Sequence, residues 1–232
     1  VGMATSLPPH NLREIGAGLI ALLDDPELSE EELFSLVPGP DFPTGGTIMG
    51  RSGIVQAYRT GRGLVRVRAK YHIEEEKNRE EIVFTEIPYQ VRKTAIIEKI
   101  VDTVKDGRIT GISDVTDYSS RDGMRLVVKI KKGEDPHVVL NLLWKFTPLQ
   151  STYSIINLAI DRRQPRTLSL RELMNAWLVH RREVLRRRTK YLLRKAEERQ
   201  RLVKENRRLK EATGQSHALE RLLGKSDGMK LL

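Results

Sequence analysis

The pattern of apolar and polar positions divides the chain into a mixed part up to about residue 165 and a helical part after it. In the first part, segments with a helical repeat of apolar residues alternate with segments in which every second residue is apolar. After Pro165 only a helical repeat remains, and neither glycine nor proline interrupts it before Gly214. The pattern therefore predicts an α+β fold followed by a long helix.

Five short helices are predicted in the first part from apolar spacing and end signals. Asn11 is a suitable N-cap for a helix over 11–25, with Leu12 and Leu23 among its inward residues. Ser29 and Glu32 form the S-x-x-E capping box of the second helix. The other three are predicted over about 52–60, 93–107 and 136–146. Helices this short favour a mixed domain over a regular doubly wound sheet.

Strict alternation predicts the strands. In residues 64–73 the odd-numbered positions from Val65 are apolar or aromatic, and the even-numbered positions from Arg66 to His72 are basic. This segment is expected to form one half-buried strand with a cationic outer face. Further strands are predicted over 81–87, 124–131 and 152–160, the first of them paired with 64–73 in a hairpin that turns at Lys77-Asn78-Arg79.

The last third of the chain is predicted to be a coiled-coil helix. Ser169 and Glu172 repeat the capping-box pattern, and Gly214 is expected to end the helix. A helix of roughly 42 residues would be about 60 Å long, and it would not be stable without a partner helix. Between Asp161 and Leu232 there are 21 lysines and arginines but only nine acidic residues. This excess favours either a polyanion or an acidic partner helix.

The basic residues near the predicted strand 64–73 are the first candidates for nucleic-acid binding. At every second strand position they would lie ~7 Å apart, close to the phosphate spacing of one DNA strand. Gly61 and Gly63 would allow a close backbone approach to an anion. A solvated strand face paired with nearby glutamates explains the same pattern. The basic run 181–190 is a second candidate, for which a solvated coiled-coil face fits equally well.

No pattern predicts catalysis or metal binding by this chain. The chain has no cysteine, its five histidines are scattered, and it contains no Walker A motif. No apolar run reaches the length that spans a bilayer. We therefore assign no catalytic and no metal-binding residue here, and we expect no membrane association.

Seven sequence blocks, in order, resemble the A subunits of bacterial type IIA topoisomerases. They are VGMAT with PPHNL (1–12), GPDFPTGG (39–46), AYRTGRG (57–63), TEIPYQV (85–91), GISDVTD (111–117), RDGMRLV (121–127) and HRREVLRRRTKYLLRKAEER (180–199). The second, third and fourth blocks are more similar to the gyrase type than to the topoisomerase IV type. The resemblance covers the chain up to about residue 200.

The resemblance implies a domain organisation and a function. Residues 1–25 would end a winged-helix region, 26–165 would form an α+β tower domain, and 166–232 would form a long basic coiled-coil helix with a divergent tail. The expected function is to hold and bend the duplex that is cleaved and resealed during ATP-dependent negative supercoiling. The catalytic tyrosine of the family is expected upstream of Val1. Topoisomerase IV and a non-enzymatic coiled-coil scaffold are the alternatives.

The resemblance also implies partners and candidate contacts. The expected partners are double-stranded DNA, a second copy of the gyrase-type A subunit, and the B subunit that carries ATP and Mg²⁺, in a cytoplasmic, nucleoid-associated A2B2 complex. No cofactor is expected in this chain. Thr5 and His10 are carried over from the first loop of the family. The candidate DNA-binding residues are these two together with Arg51, Arg59, Arg62, Arg66, Arg68 and Lys70.

Overall fold

A computed structural model of the chain describes residues 3–76, 79–121 and 123–227. The helices are α1 (Leu12–Asp24), α2 (Glu30–Leu36), α3 (Ser52–Thr60), α4 (Lys93–Lys105), α5 (Pro136–Phe146) and α6 (Leu170–Asp227). The strands are β1 (Thr47–Ile48), β2 (Arg62–Arg68), β3 (Lys70–Glu76), β4 (Arg79–Glu86), β5 (Ile112–Asp117), β6 (Leu126–Ile130), β7 (Gln150–Ile156), β8 (Leu158–Asp161) and β9 (Gln164–Thr167). All recorded strand pairs are antiparallel, so the predicted α+β class with short antiparallel strands and a long final helix is confirmed.

Side-chain caps begin the helices where the sequence predicts them. The Asn11 side chain accepts a hydrogen bond from the N–H of Arg13, which begins α1. Ser29 and Glu32 form a complete capping box at α2. At α6, the Ser169 N–H donates to the Glu172 carboxylate at 2.8 Å, and the Glu172 N–H donates back to the Ser169 hydroxyl at 3.2 Å. Local sequence therefore fixes these three starts.

Two sheets and a hairpin organise the first compact unit, which extends to Ala176. Sheet A has the strand order β1-β2-β7, and sheet B has the order β3-β4-β6-β5. Strands β8 and β9 form a separate hairpin. One face of sheet B packs against α4 and α5 to form the main hydrophobic core, whose fully buried members include Ile82, Phe84, Ile96, Ile100, Leu126 and Leu143.

The single strand predicted over 64–73 is wrong, because two strands of different sheets occupy this segment. Strand β2 ends at Arg68 and pairs with β1 and β7, whereas β3 begins at Lys70 and pairs with β4. Between them, the buried Ala69 donates its N–H to the carbonyl of Leu149 at 2.8 Å. The predicted alternation is confirmed up to Ala69, but the side chains beyond it belong to sheet B.

Three smaller predictions are also wrong. The segment 152–160 contains parts of two strands, β7 and β8, which lie in different sheets. Helix α6 has 58 residues and continues through Gly214. Helix α1 buries Leu22, but Leu12 and Leu23 are exposed. Two of the three residues predicted to form the 77–79 turn lie outside the described part of the chain.

The second compact unit begins at Trp177 and contains the rest of α6. Its leucines at 185, 192, 202 and 209 are each about half exposed. Ion pairs between residues four apart join Arg187 to Glu183 and Arg207 to Glu211. Such pairs contribute only a few tenths of a kcal/mol each, roughly 0.3–0.5, so they do not hold a long helix by themselves. The coiled-coil partner that would cover these leucines stays a prediction.

An ion pair joins the first turn of α4 to sheet B. The Lys93 ammonium lies 2.8 Å from the carboxylate of Asp117 at the end of β5, and the Ser119 N–H donates to the same carboxylate at 3.0 Å. These hydrogen bonds, with that of Lys93 the stronger, lower the pKa of Asp117 to about 2. The pair also offsets the unfavourable position of a cation at a helix N-terminus.

The packing of α4 predicts that mutations at two neighbouring positions change the stability of the protein by very different amounts. Ile100 is fully buried in the main core, whereas Val101 is 38% exposed. Replacing Ile100 with alanine leaves a cavity and should lower the free energy of unfolding by roughly 2–5 kcal/mol. Val101→Ala should change it by no more than about 0.5 kcal/mol. Urea unfolding of both variants checks this, and equal losses would contradict the assigned orientation of α4.

The Asp117 pair predicts a pH dependence of stability. The folded-state pKa of Asp117 lies below its ordinary value of 3.8. The pair therefore stabilises the fold above that pH, and this stabilisation is lost as the pH falls toward about 2. Solvent reaches about a third of both side chains, so the effect should be only about 1 kcal/mol. Asp117→Asn should abolish this component. Urea unfolding of both proteins between pH 2 and 6 measures the difference, and parallel curves would refute it.

Candidate nucleic-acid interface

The outer face of sheet A collects basic and hydroxyl side chains. Strand β2 buries every second residue, and those on its opposite side are Arg62, Leu64, Arg66 and Arg68. The register with β7 places Thr152 opposite Arg66 and Ser154 opposite Leu64. Residues directly opposed in an antiparallel pair project from the same side. We call this surface the sheet A face, and it consists of Arg62, Leu64, Arg66, Arg68, Gln150, Thr152 and Ser154.

Helix α3 packs against the inner side of β2 through two glycines. A Cβ atom at Gly53 would overlap the carbonyl oxygen of Leu64, and one at Gly63 would lie only 2.8 Å from the Cβ of Ala57. Gly61 ends the helix with a left-handed backbone, at a φ of 76°. The expectation that Gly61 and Gly63 open the backbone to an anion is therefore wrong, because both are buried against their own chain.

Three aromatic rings support β7 from the inner side of sheet A. Tyr153 is buried, and its ring centroid lies 5.4 Å from that of Phe42. Phe42, in the 39–46 loop, stacks on Tyr89 with centroids 5.2 Å apart. Because these rings occupy the inner side, the neighbouring Thr152 and Ser154 are exposed on the outer one.

The candidate arginines differ in whether a carboxylate of the chain already binds them. Arg59 donates to the carboxylate of Glu30 at 2.9 Å. Arg51, Arg62 and Arg66 are exposed, and no ion pair is recorded for them in the described residues. Their charges are therefore available to an external anion.

Arg68 and Lys70 lie on either side of Ala69 and have different environments. The Arg68 guanidinium donates to the Gln150 side chain at 2.7 Å and lies 5.5 Å from the ring centre of Trp144. Lys70 belongs to sheet B and pairs with Glu86 at 3.2 Å. The Glu86 pKa is lowered, first by the hydrogen bond from the N–H of Gly46. Arg68 therefore remains oriented on the sheet A face, whereas Lys70 is partly neutralised.

The N-terminal segment lies beside the end of β7. The Thr5 hydroxyl donates to the carbonyl of Ile156 at 3.1 Å, and Ser6 exchanges two backbone hydrogen bonds of 3.0 Å with the same residue. Ile156 pairs with Arg62 on its other side. The exposed Thr5 therefore lies at the Arg62 end of sheet A.

His10 joins this segment to α3. One ring nitrogen lies 2.9 Å from the carbonyl of Pro8, and the other lies 2.8 Å from the hydroxyl of Tyr58. Burial lowers the pKa of His10 and raises the pKa of Tyr58. Both ring nitrogens are thus engaged within the chain, and the neutral ring fixes the position of the loop that carries Thr5.

The structure brings Arg62, Arg66 and Arg68 together on one face and places Lys70 on another sheet. Their contact with DNA stays a prediction. Thr152 and Ser154 were not predicted, although the alternation of residues 151–156 contains a signal for an exposed polar side.

In the described part of the chain, no group of three or more acidic or histidine side chains could hold a metal ion. No described helix has the length and apolar character needed to cross a membrane.

Comparisons with known proteins give the family. The chain is 50% identical over 201 residues to the DNA gyrase A subunit of Chlamydia pneumoniae, a match that covers 86% of this chain and 24% of that protein. It is 52% identical over 202 residues to the DNA gyrase A subunit of Pseudomonas aeruginosa, with 86% and 22% covered. It is 52% identical over 194 residues to the DNA topoisomerase 4 A subunit of Synechocystis, with 81% and 21% covered.

The chain thus spans less than a quarter of the length of these relatives, at most 24%. The family of the DNA gyrase/topoisomerase IV A subunits matches residues 1–227, nearly the whole chain. The chain therefore belongs to the family of DNA gyrase/topoisomerase IV A subunits.

Proposed function

We propose that this chain is the DNA-holding part of the A subunit of a bacterial type IIA topoisomerase of the gyrase type. The sheet A face binds the backbone of the duplex that the enzyme cleaves and reseals. The observation that carries the proposal is the placement of Arg62, Arg66 and Arg68 beside the hydroxyls of Thr152 and Ser154. Relatives that are DNA gyrase A subunits support the enzyme class.

The chemistry of this face suits the phosphate backbone of DNA. Guanidinium groups bind phosphate through paired N–H donors, and threonine and serine hydroxyls are further phosphate ligands. Arg66 and Arg68, at alternate positions of β2, lie ~7 Å apart, which is close to the distance between successive phosphates, whereas Leu64 separates Arg62 from Arg66 by about twice that distance. Such contacts position a duplex without reading its sequence. The face is therefore suited to sequence-independent binding.

Bending the duplex requires several contacts, because bending a site of 20–30 base pairs costs on the order of 1–6 kcal/mol. Arg51 and Thr5 extend the contact set. Arg59 and Lys70 contribute less, since each must first leave the carboxylate that it binds in the chain. His10 acts through the position of the first loop.

The proposed complex places the remaining functions elsewhere. The B subunit carries ATP and Mg²⁺, and two A subunits with two B subunits form the cytoplasmic, nucleoid-associated enzyme. The residues of this chain bind and bend DNA in negative supercoiling. A topoisomerase IV role is the second candidate, because the identity to the Synechocystis topoisomerase 4 protein is also 52%. The GPDFPTGG, RTGRG and TEIPYQV blocks favour the gyrase type.

Removing Arg62 and Arg66 of β2 should weaken DNA binding. For Arg62→Ala with Arg66→Ala, the slope of log affinity against log salt should fall by about 2, and affinity should fall roughly tenfold or more. The matched control is Lys131→Ala with Lys132→Ala, which removes two exposed charges from the end of sheet B. Fluorescence anisotropy of a labelled duplex of about 30 base pairs, the length of a bent site, measures both.

The outcomes of this experiment separate the candidate functions. A loss of DNA affinity in the Arg62 and Arg66 variant alone would support the sheet A face as the binding surface. Equal losses of affinity in both variants would show that only the net charge affects binding and would exclude the sheet A face as a specific binding surface. Absence of binding by the unmodified chain would favour the coiled-coil scaffold.

The hydroxyl of Thr152 should contribute to affinity without changing the salt dependence. Thr152→Val removes a hydrogen-bonding group of nearly the same shape but no charge, so affinity should fall about fivefold and the slope should stay constant. Thr94→Val, at an exposed position of α4, is the control. The same anisotropy series tests both, and unchanged affinity for Thr152→Val would exclude its hydroxyl from the interface.

A further inference from the structure

The turn between β8 and β9 has two consecutive arginines with a left-handed backbone. Arg162 has a φ of 48° and Arg163 a φ of 70°, and they form the two-residue loop between the paired Asp161 and Gln164. Positive φ at both positions defines a type I′ turn, for which Asn-Gly is the preferred sequence. Side chains with a Cβ atom disfavour this region. Two arginines therefore make this turn less stable than the preferred sequence would.

Among the described residues, ion pairs do not account for these two arginines. Both are exposed, and the described part of the chain records no ion pair for either. Arg166 of the same hairpin behaves differently, because it lies 3.1 Å from Asp161 and 3.9 Å from Glu172. Arg166 is thus paired with carboxylates, whereas the tip of the hairpin presents two arginines for which the described residues supply no carboxylate.

The base of the hairpin is attached to the Arg62 end of the sheet A face. Ile156, the last residue of β7, pairs with Arg62. The next residue, Asn157, donates its N–H to the carbonyl of Gly61 at 2.8 Å and accepts the N–H of Leu168 at 2.9 Å. The four residues of β8 then separate the turn from this base by roughly 13 Å. The two arginines therefore project from an anchored support.

We propose that Arg162 and Arg163 bind phosphates of the duplex beyond the end of the sheet A face. This inference rests on the proposed function, because it assigns a further contact for the same ligand. A guanidinium group binds a phosphate through two N–H donors, and such contact needs no particular base sequence. Binding to DNA explains why the turn keeps arginines at positions where asparagine and glycine are more stable.

The decisive variant is Arg162→Asn with Arg163→Gly in the full chain, which installs the preferred turn residues and removes both charges. Its Tm should rise by roughly 2–4 °C. Its affinity for a duplex of about 30 base pairs, the length of a bent site, should fall roughly tenfold at 0.1 M salt, and the salt slope should decrease by about 2. Arg162→Lys with Arg163→Lys should retain the slope, since it keeps both charges. The Lys131→Ala and Lys132→Ala control should leave binding unchanged.

Two results would overturn this inference. A Tm of the Asn-Gly variant below that of the unmodified chain would contradict the argument from turn strain, and it would also reveal any loss of binding that comes from misfolding. The second result is an Asn-Gly variant that binds DNA with the affinity and salt slope of the unmodified chain, while the Arg62 and Arg66 variant loses affinity. This result would exclude the hairpin contact and leave the proposed function standing. If the Arg62 and Arg66 variant also binds like the unmodified chain, the proposed function itself fails.

Discussion

The close contact between α3 and β2 determines where the arginines of the sheet A face stand. Gly53 and Gly63 have no side chains, so the helix lies against the strand at backbone distance. With the inner side filled in this way, alternate residues of β2 must project outward. A methyl group at either glycine would separate the helix from the strand and displace Arg62 and Arg66. Gly53 and the last glycine of the RTGRG sequence, Gly63, thus affect the interface through packing.

Signals that depend on a few neighbouring residues predicted much of the fold. Asn11, Ser29 and Ser169 begin helices because their side chains bind backbone N–H groups within three positions. The alternation in β2 correctly predicted that Arg66 and Arg68 lie on the side opposite the buried valines. It did not reveal the change of sheet at Ala69, because the chain stays extended there and only its hydrogen-bond partners change.

The composition of the interface depends on pairings that local patterns do not contain. Thr152 reaches Arg66 through the register of β7, although 86 positions of sequence separate them. The same limit applies to ion pairs, since Glu30 and Glu86 lie 29 and 16 residues from Arg59 and Lys70, the residues that they bind. A basic residue is therefore more readily available to a phosphate where the fold brings no carboxylate to it.

The passage of the chain from sheet A to sheet B through one buried residue has a mechanical consequence. Ala69 belongs to the main core and is also hydrogen-bonded to Leu149, the residue before β7. No loop separates β2 from β3, so a force applied to the arginines of β2 passes through the backbone of Ala69 into that core. This continuous connection opposes movement of sheet A away from sheet B. If the sheet A face binds a duplex as proposed, a face held in this way favours bending of the DNA over bending of the sheet.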